Sequence, residues 1–388
     1  MKALLPDLEL LERLVAFDST SHRSNLPIVD FLRDYLDRPG IRLTLQPAPP
    51  EEVEPKANLI VELGPECGTE RDGLMLSGHV DVVPAEEPEW QSDPFRLEIR
   101  EDRYYGRGSA DMKGFVALAV NSLLRRHAAG GELRAPLALV ITYDEELGTL
   151  GARHFVETWD PAHRLPRRSI IGEPTSLEVV RLHKGHTKMH LTVRGTPAHS
   201  GYPHLGHCAI EPMGRAIGAL AALRSELKKE RVASSEFFPE VPFVALNLGR
   251  VWGGTADNIV PDRCEMVIGF RILPGMESAP IEARVRQALE QVLANESWQL
   301  ERSNLSPPMS LDESDDLYRH LCEMVGQDQT LSASYATDAG WFQKGGFSCL
   351  LWGPGDIGVA HKPNEWLPRQ DFERASRELG LVINRFCG

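Results

Sequence analysis

Long apolar runs are missing from this 388-residue chain. No stretch approaches the ~18 residues that a membrane-crossing helix requires, which excludes that class of protein. Basic blocks are missing too. Net charge is -14 at neutral pH, so the surface should repel nucleic-acid phosphates and anionic membranes. The nearest candidate, Leu227-Lys228-Lys229-Glu230-Arg231, ends a helical pattern and reads as a solvated helix terminus. Cysteines are few and unpaired. Cys67, Cys208, Cys264, Cys322, Cys349 and Cys387 lie far apart with no CxxC spacing, and read as isolated buried thiols. No cleavable leader is expected, because Asp7, Glu9 and Glu12 fall within the first apolar-periodic stretch. There Leu4, Leu8, Leu11 and Val15 trace one face of a helix, and a cytoplasmic location is expected. No internal repeat or low-complexity segment occurs.

What remains is an ordinary globular composition, 42% hydrophobic and 25% charged. At ~100–200 residues per domain, the length suggests two or three domains. Strand-like and helix-like segments alternate first. Strands are expected at 58–63, 73–78, 137–142 and 169–172, and helices at 111–126 and 151–158. The continuous apolar run Leu137–Thr142 suits a strand buried on both faces. This alternation argues for an α/β domain with a mainly parallel sheet. After Val180 the pattern changes. Lys188–Gly195 alternates with period two, and the following segments read β-α-β-β-α-β, a ferredoxin-like unit of ~110 residues. After Pro307-Pro308 the α/β character returns. The expected organisation is a catalytic domain in two pieces, 1–182 and 304–388, around an inserted domain at 183–303.

Five places set carboxylates or imidazoles at strand ends or in tight turns, where an α/β sheet presents functional side chains. His79 and Asp81 lie two apart after a strand, so a histidine ligand could have a carboxylate orienting it, although a bare HxD is common. Gly106-Arg107-Gly108-Ser109-Ala110-Asp111 delivers an acid to the start of a helix, where an N-cap is the simpler reading. Glu145 and Glu146 are adjacent carboxylates at the mouth of a buried strand. Unless this is a solvated acidic turn, a cation or a proton must resolve their repulsion. Gly172-Glu173-Pro174-Thr175 again follows a strand, and Val359-Ala360-His361-Lys362-Pro363-Asn364-Glu365 follows a Gly-Pro-Gly loop.

Taken in this order, HxD, GxxD, EE, EPT and a distant C-terminal His, the chain resembles the di-zinc M20 peptidase and deacylase family along nearly its whole length. Within that family the segment Gly353–Leu367 is similar to the GPG…AH.P.E segment of the acetylornithine deacetylase subgroup. The resemblance implies two Zn²⁺ ions, with Co²⁺ able to substitute. His79, Asp111 and Glu173 would hold one. Asp111, as the bridge, would hold the other with Glu146 and His361. It also implies that Asp81 orients His79, that Glu145 is the general base, and that the Asp111–Met112 peptide is cis. The residue chemistry agrees: carboxylates and imidazoles without thiolates suit a catalytic zinc pair.

The inserted segment would be the family's lid and dimerisation domain. Gly195–Pro203 resembles its GxxAHSxxP turn, whose histidine, here His199, supports the oxyanion from a partner subunit. Gly253–Pro261 is similar to its GG…N.IP turn, which makes Asn258 a substrate contact. Arg271, in a segment resembling R.LPGM, suits a bidentate grip on a substrate α-carboxylate. His183, His186, His190, His204 and His207 read as surface or packing residues. The implied reaction is hydrolysis of an N-acyl amino acid amide, foremost N-acetyl-L-ornithine to L-ornithine and acetate in arginine biosynthesis. N-acetylcitrulline deacetylation, succinyl-diaminopimelate desuccinylation and aminoacylase or dipeptidase activity are the alternatives. A metal-loaded binding scaffold is the non-enzymatic one. The segment Tyr335–Phe342 departs from the subgroup in its aromatic content, where a substrate side-chain pocket is expected.

Overall fold

The computed structural model describes residues 3–50, 53–69 and 72–388. The chain forms two compact units: Met1–Arg181 with Leu311–Leu331 and Thr337–Gly388, and Leu182–Ser310 with Ser332–Ala336.

The first unit is built on a sheet whose four central strands are parallel. In order across the sheet these are Leu137–Thr142, Leu74–His79, Arg168–Ile171 and Ser348–Leu351. Ala57–Leu63 and then Ile41–Pro47 extend one side in antiparallel register. Leu59, Leu76, Leu139, Ile170 and Leu350 face a core filled by Asp7–Val15, Leu26–Leu36, Gly114–Ala128, Asp316–Val325 and Arg369–Cys387. Leu150–Thr158 and Ala339–Lys344 pack on the sheet as well, meeting through Phe155 and Phe342 with ring centroids 5.6 Å apart. Helices therefore shield the sheet, and Leu137–Thr142 and Leu74–His79 are buried along their length, the first as its continuous apolar run requires. Because those strands run parallel, their carboxyl ends share one edge. That edge delivers His79, the turn after Thr142, and Glu173 together.

Local differences from the sequence expectations have physical causes. The first helix is Asp7–Val15 and buries Leu10, Leu11, Leu14 and Val15, while Leu4 is exposed ahead of it. The apolar stripe is thus rotated from the expected Leu4-Leu8-Leu11-Val15 line. The third helix begins at Gly114, not at Asp111, because Asp111 and Met112 have non-helical backbone angles. The Asp111–Met112 peptide bond is cis, as the resemblance implied. All six cysteines are free, four of them buried, with Cys67 and Cys208 part-exposed. No helix among the described residues is long and apolar enough to cross a membrane.

The second unit is a four-stranded antiparallel sheet in the order Ala245–Gly253, Arg263–Arg271, His186–Arg194, Ser297–Ser306. With helices Ile210–Leu227 and Ser278–Leu293 its chain order is βαββαβ, the ferredoxin-like arrangement. Met189, Leu191 and Val193 alternate inward with Met266, Ile268 and Phe270, and both helices bury their apolar stripes on them.

One glycine ties this packing to the functional edge. Gly172 donates its N–H to the Ser77 carbonyl at 3.0 Å, and a Cβ there would lie 1.9 Å from ring atoms of buried Phe115. Gly172→Ala should therefore cost about 1–3 kcal/mol by overpacking, read as a lower urea midpoint at unchanged m-value. An unchanged midpoint would show that Phe115 moves aside freely.

Candidate active site

At the carboxyl edge of the first unit, five side chains form two overlapping groups. One ligand atom each from His79, Asp111 and Glu173 lie within 4.8 Å of one another, and so do those of Asp111, Glu146 and His361. Asp111 belongs to both. Its Oδ1 is 3.1 Å from His79 Nε2, and its Oδ2 is 3.2 Å from His361 Nε2. His361 Nε2 is also 3.0 Å from Glu146 Oε1. These separations are close to the roughly 3.3 Å between neighbouring ligands on a tetrahedral ion with ~2 Å bonds. His79, Asp111 and Glu173 are buried, whereas His361 is half exposed on its loop.

Backbone geometry aims each group. His79 ends its strand, and its Nδ1 donates to the Asp81 main-chain carbonyl at 2.9 Å, leaving Nε2 as the nitrogen facing Asp111. The Asp81 carboxylate lies 3.5 Å from the same Nδ1 but has a further task. Its two oxygens accept the N–H groups of Glu145 and Glu146 at 3.1 and 3.2 Å, and the Ser21 hydroxyl at 2.8 Å. Asp81 thus fixes the glutamate turn as well as the histidine. That turn starts at Asp144, whose φ is +50°, and Glu145–Gly148 makes one helical turn. Successive side chains there diverge by about 100°, so Glu145 and Glu146 point apart. Lys56 Nζ pairs with the Asp144 carboxylate beneath them.

The electrostatics are those of crowded carboxylates. Burial raises Glu145 and Glu173 well above the ordinary range. For Glu145 the Glu173 charge adds to it, and for Glu173 the Asp111 charge does. Burial also raises Glu146, partly offset by its hydrogen bond to His361. Hydrogen bonds to Asp111 and Glu146 lift the His361 imidazole to about 10. Glu173 Oε1 is buried with no hydrogen-bond partner. An orphaned carboxylate oxygen, a bridging acid and two imidazoles, with no thiolate, fit a pair of divalent cations bound through oxygen and nitrogen.

Two further carboxylates belong to this edge. Asp338 is fully buried, accepts the Thr142 hydroxyl at 2.6 Å and leaves Oδ1 unpartnered. Burial pushes it up to about 7, and its charge adds to the upward shifts of Glu145 and Glu173. In the sequence it resembles any acid preceding a short helix. Glu365 accepts the N–H groups of Ala110 and Asp111, and was visible only as the last acid of the fifth motif. Two of the three aromatic residues of the departing segment are core residues: Trp341 and Phe342 are buried, the latter against Phe155 and Phe347, while Tyr335 is part-exposed.

The second unit holds the other candidates. His199 and Asn258 are exposed on neighbouring turns, joined by Ser200 N–H to Asn258 O at 2.9 Å and Val260 N–H to Ala198 O at 2.8 Å. Arg271 ends the Arg263–Arg271 strand, half-buried. Of the remaining histidines, His183 is fully buried and held near 4 by desolvation, His190 stacks on Trp252, and His207 pairs with Glu296 at 2.6 Å.

The family model described as peptidase family M20/M25/M40 matches residues 75–385. An acetylornithine deacetylase of Klebsiella pneumoniae (strain 342) is 36% identical over 395 aligned residues, covering 99% of this chain and 98% of that protein. Among solved structures, an M20 family metallo-carboxypeptidase of Sulfolobus solfataricus superposes with a TM-score of 0.78 at 16% identity, covering 98% of this chain and 99% of that one. A dinuclear metal-binding M20 peptidase of Bacillus subtilis gives 0.65 at 15% identity, covering 98% of both chains.

The histidine shift has a measurable consequence. His361, ordinarily near 6.5 and here raised to about 10, is an imidazolium at neutral pH in the metal-free protein. A cation can bind only to its neutral form, so binding must expel a proton. Zn²⁺ affinity should rise with pH by about tenfold per unit for each proton so expelled, measured by chelator competition below about pH 10. Affinity independent of pH would show that His361 does not ligate.

Proposed function

Because the chain belongs to peptidase family M20/M25/M40 and is therefore a metal-dependent hydrolase, we propose that it cleaves the amide bond of an N-acyl amino acid, foremost N-acetyl-L-ornithine, releasing L-ornithine and acetate. The observation that carries this reading is the 36% identity to an acetylornithine deacetylase across essentially the whole chain. Arginine biosynthesis in the cytoplasm is the setting this substrate suggests.

The proposed cations are two Zn²⁺, one held by His79, Asp111 and Glu173 and the other by Asp111, Glu146 and His361. When bound, such a pair supplies Lewis acidity that polarises the acyl carbonyl and acidifies a water. Glu145 is the proposed general base. Its carboxylate, made more basic by burial and by the Glu173 charge, takes a proton from the attacking water. It returns that proton to the amine nitrogen as the C–N bond breaks. Asp81 keeps Glu145 oriented through the turn's N–H group. Arg271 is proposed to grip the substrate α-carboxylate, His199 to support the developing oxyanion from the partner subunit of a homodimer, and Asn258 to contact the substrate. An interaction made at the developing oxyanion would act on the transition state more than on bound substrate.

Two experiments test this. Purified Zn²⁺-loaded protein is assayed on a panel of N-acyl amino acids and dipeptides, with kcat/KM highest for N-acetyl-L-ornithine. A higher value for N-acetylcitrulline, succinyl-diaminopimelate or a dipeptide would reassign the substrate, and no turnover would overturn the reading. Glu145→Gln should keep two metals and lose ~10²–10⁴-fold in kcat, the usual worth of a general base. Glu146→Gln should instead lower metal content. A Glu145 variant short of one metal beside a Glu146 variant with both would reverse the roles.

A further inference from the structure

The side chains proposed to hold the second cation come from two distant segments. Asp111 lies on the turn after Gly108, and His361 on the loop after Gly355. Neither is fixed by a regular element, and His361 itself sits at a φ of +62°. What joins the two segments is a buried ion pair. Arg107 and Glu365 are each 1% exposed, with Nη1 of the arginine 2.8 Å from Oε2 of the glutamate. The other glutamate oxygen, Oε1, accepts the N–H of Ala110 at 3.0 Å and of Asp111 at 3.1 Å. The Glu365 main-chain carbonyl accepts the N–H of Gly106 at 3.0 Å. Arg107 Nη1 also donates to the carbonyl of Lys362, next to His361, at 3.4 Å, and Nη2 donates to that of Pro84 at 3.0 Å. The guanidinium lies 5.2 Å from the Trp90 ring centroid. One charge pair therefore fastens the Asp111 turn, the His361 loop and the chain beyond His79 and Asp81.

We propose that the Arg107–Glu365 pair is a positioning unit that holds Asp111 and His361 at the spacing needed to take up a cation together. This rests on the ligand assignment given above. The physical argument is specific to a charged pair. A carboxylate can accept two main-chain N–H groups on one oxygen and the guanidinium on the other. Glutamine would turn an N–H₂ group toward one of those donors and leave the buried guanidinium with only the more distant, part-exposed Glu87 carboxylate, 3.7 Å away. A surface pair could be lost without consequence, but this one is removed from water at both ends. Outer partners that orient ligands typically change metal affinity by 10–100-fold.

The test measures Zn²⁺ stoichiometry and affinity for wild type, Glu365→Gln, Arg107→Lys and the charge-free double variant Arg107→Met/Glu365→Gln, by chelator competition and elemental analysis. Wild type should bind two ions. Glu365→Gln and the double variant should bind one of them ~10–100-fold more weakly. At saturating Zn²⁺ their kcat should recover to near wild type with KM unchanged, because neither residue touches substrate. Arg107→Lys, which keeps the charge, should fall between. The double variant leaves no buried charge unpaired, so it decides the matter if a single variant fails to fold. Two tightly bound ions in a folded double variant would overturn the proposal. So would lost turnover with both sites full. A wild type that binds no pair of ions would instead overturn the ligand assignment on which it rests.

Discussion

Buried negative charge is the constraint on which the rest of the first unit depends. Asp81, Asp111, Glu173 and Asp338 are all buried on one edge of the sheet, with Glu145 and Glu146 beside them. In a medium of low effective dielectric such carboxylates cannot all ionise without compensation. The upward shifts of Glu145, Glu146, Glu173 and Asp338 express that conflict, and the upward shift of His361 expresses its partial relief. Two imidazoles cannot balance the whole set, and Glu173 Oε1 has no donor at all. Divalent cations answer both problems, since each adds two positive charges and several bonds to oxygen or nitrogen.

Such a cluster must be held open against its own repulsion before any cation arrives. The groups that do so are spread through the fold. Asp81 fastens the glutamate turn to the histidine strand, Lys56 neutralises Asp144 under that turn, and Thr142 holds Asp338. Close packing makes these attachments stiff. Gly172 is a glycine because Phe115 fills the space where a Cβ would be, and the next residue is Glu173. Precision at the site is thus a property of the helix–sheet core as much as of the polar residues.

This explains what could be read from the chain and what could not. Leu137–Thr142 was legible to the residue because a strand shielded on both faces must be apolar throughout. The βαββαβ order was legible because its two central strands, His186–Arg194 and Arg263–Arg271, alternate inward and outward and two helical patterns separate the strand segments. The five clustered side chains were legible only through the order of their motifs and the resemblance it carries, because each motif alone read as readily as a helix cap or an acidic turn. The three-stranded sheet of Glu98–Arg100, Arg103–Tyr105 and Trp366–Pro368 was not, since strands of three residues carry no period. The irregular Asp111 turn was expected as helix because nothing local shows that Glu365, distant in sequence, captures its N–H groups. Asp338 was missed for a similar reason: an acid before a helix is ordinarily a cap, and only burial beside other carboxylates distinguishes it.

Substrate choice lies outside this cluster. A metallo-carboxypeptidase shares the fold at 16% identity, so the architecture accommodates different substrates. Within the Tyr335–Phe342 segment Trp341 and Phe342 are committed to the core, which leaves Tyr335 as its one part-exposed aromatic. Under the proposed reaction, discrimination falls to groups that can recognise an amino acid's carboxylate. Arg271 lies in a suitable electrostatic setting. Burial, reinforced by its positive charge, lowers His183 to about 4, His186 to about 3 and Lys184 to about 8. At neutral pH the two histidines are therefore uncharged while Lys184 remains mostly cationic. A neighbourhood of positive charge would favour an anionic group, and its hold would weaken as Lys184 loses its proton near pH 8.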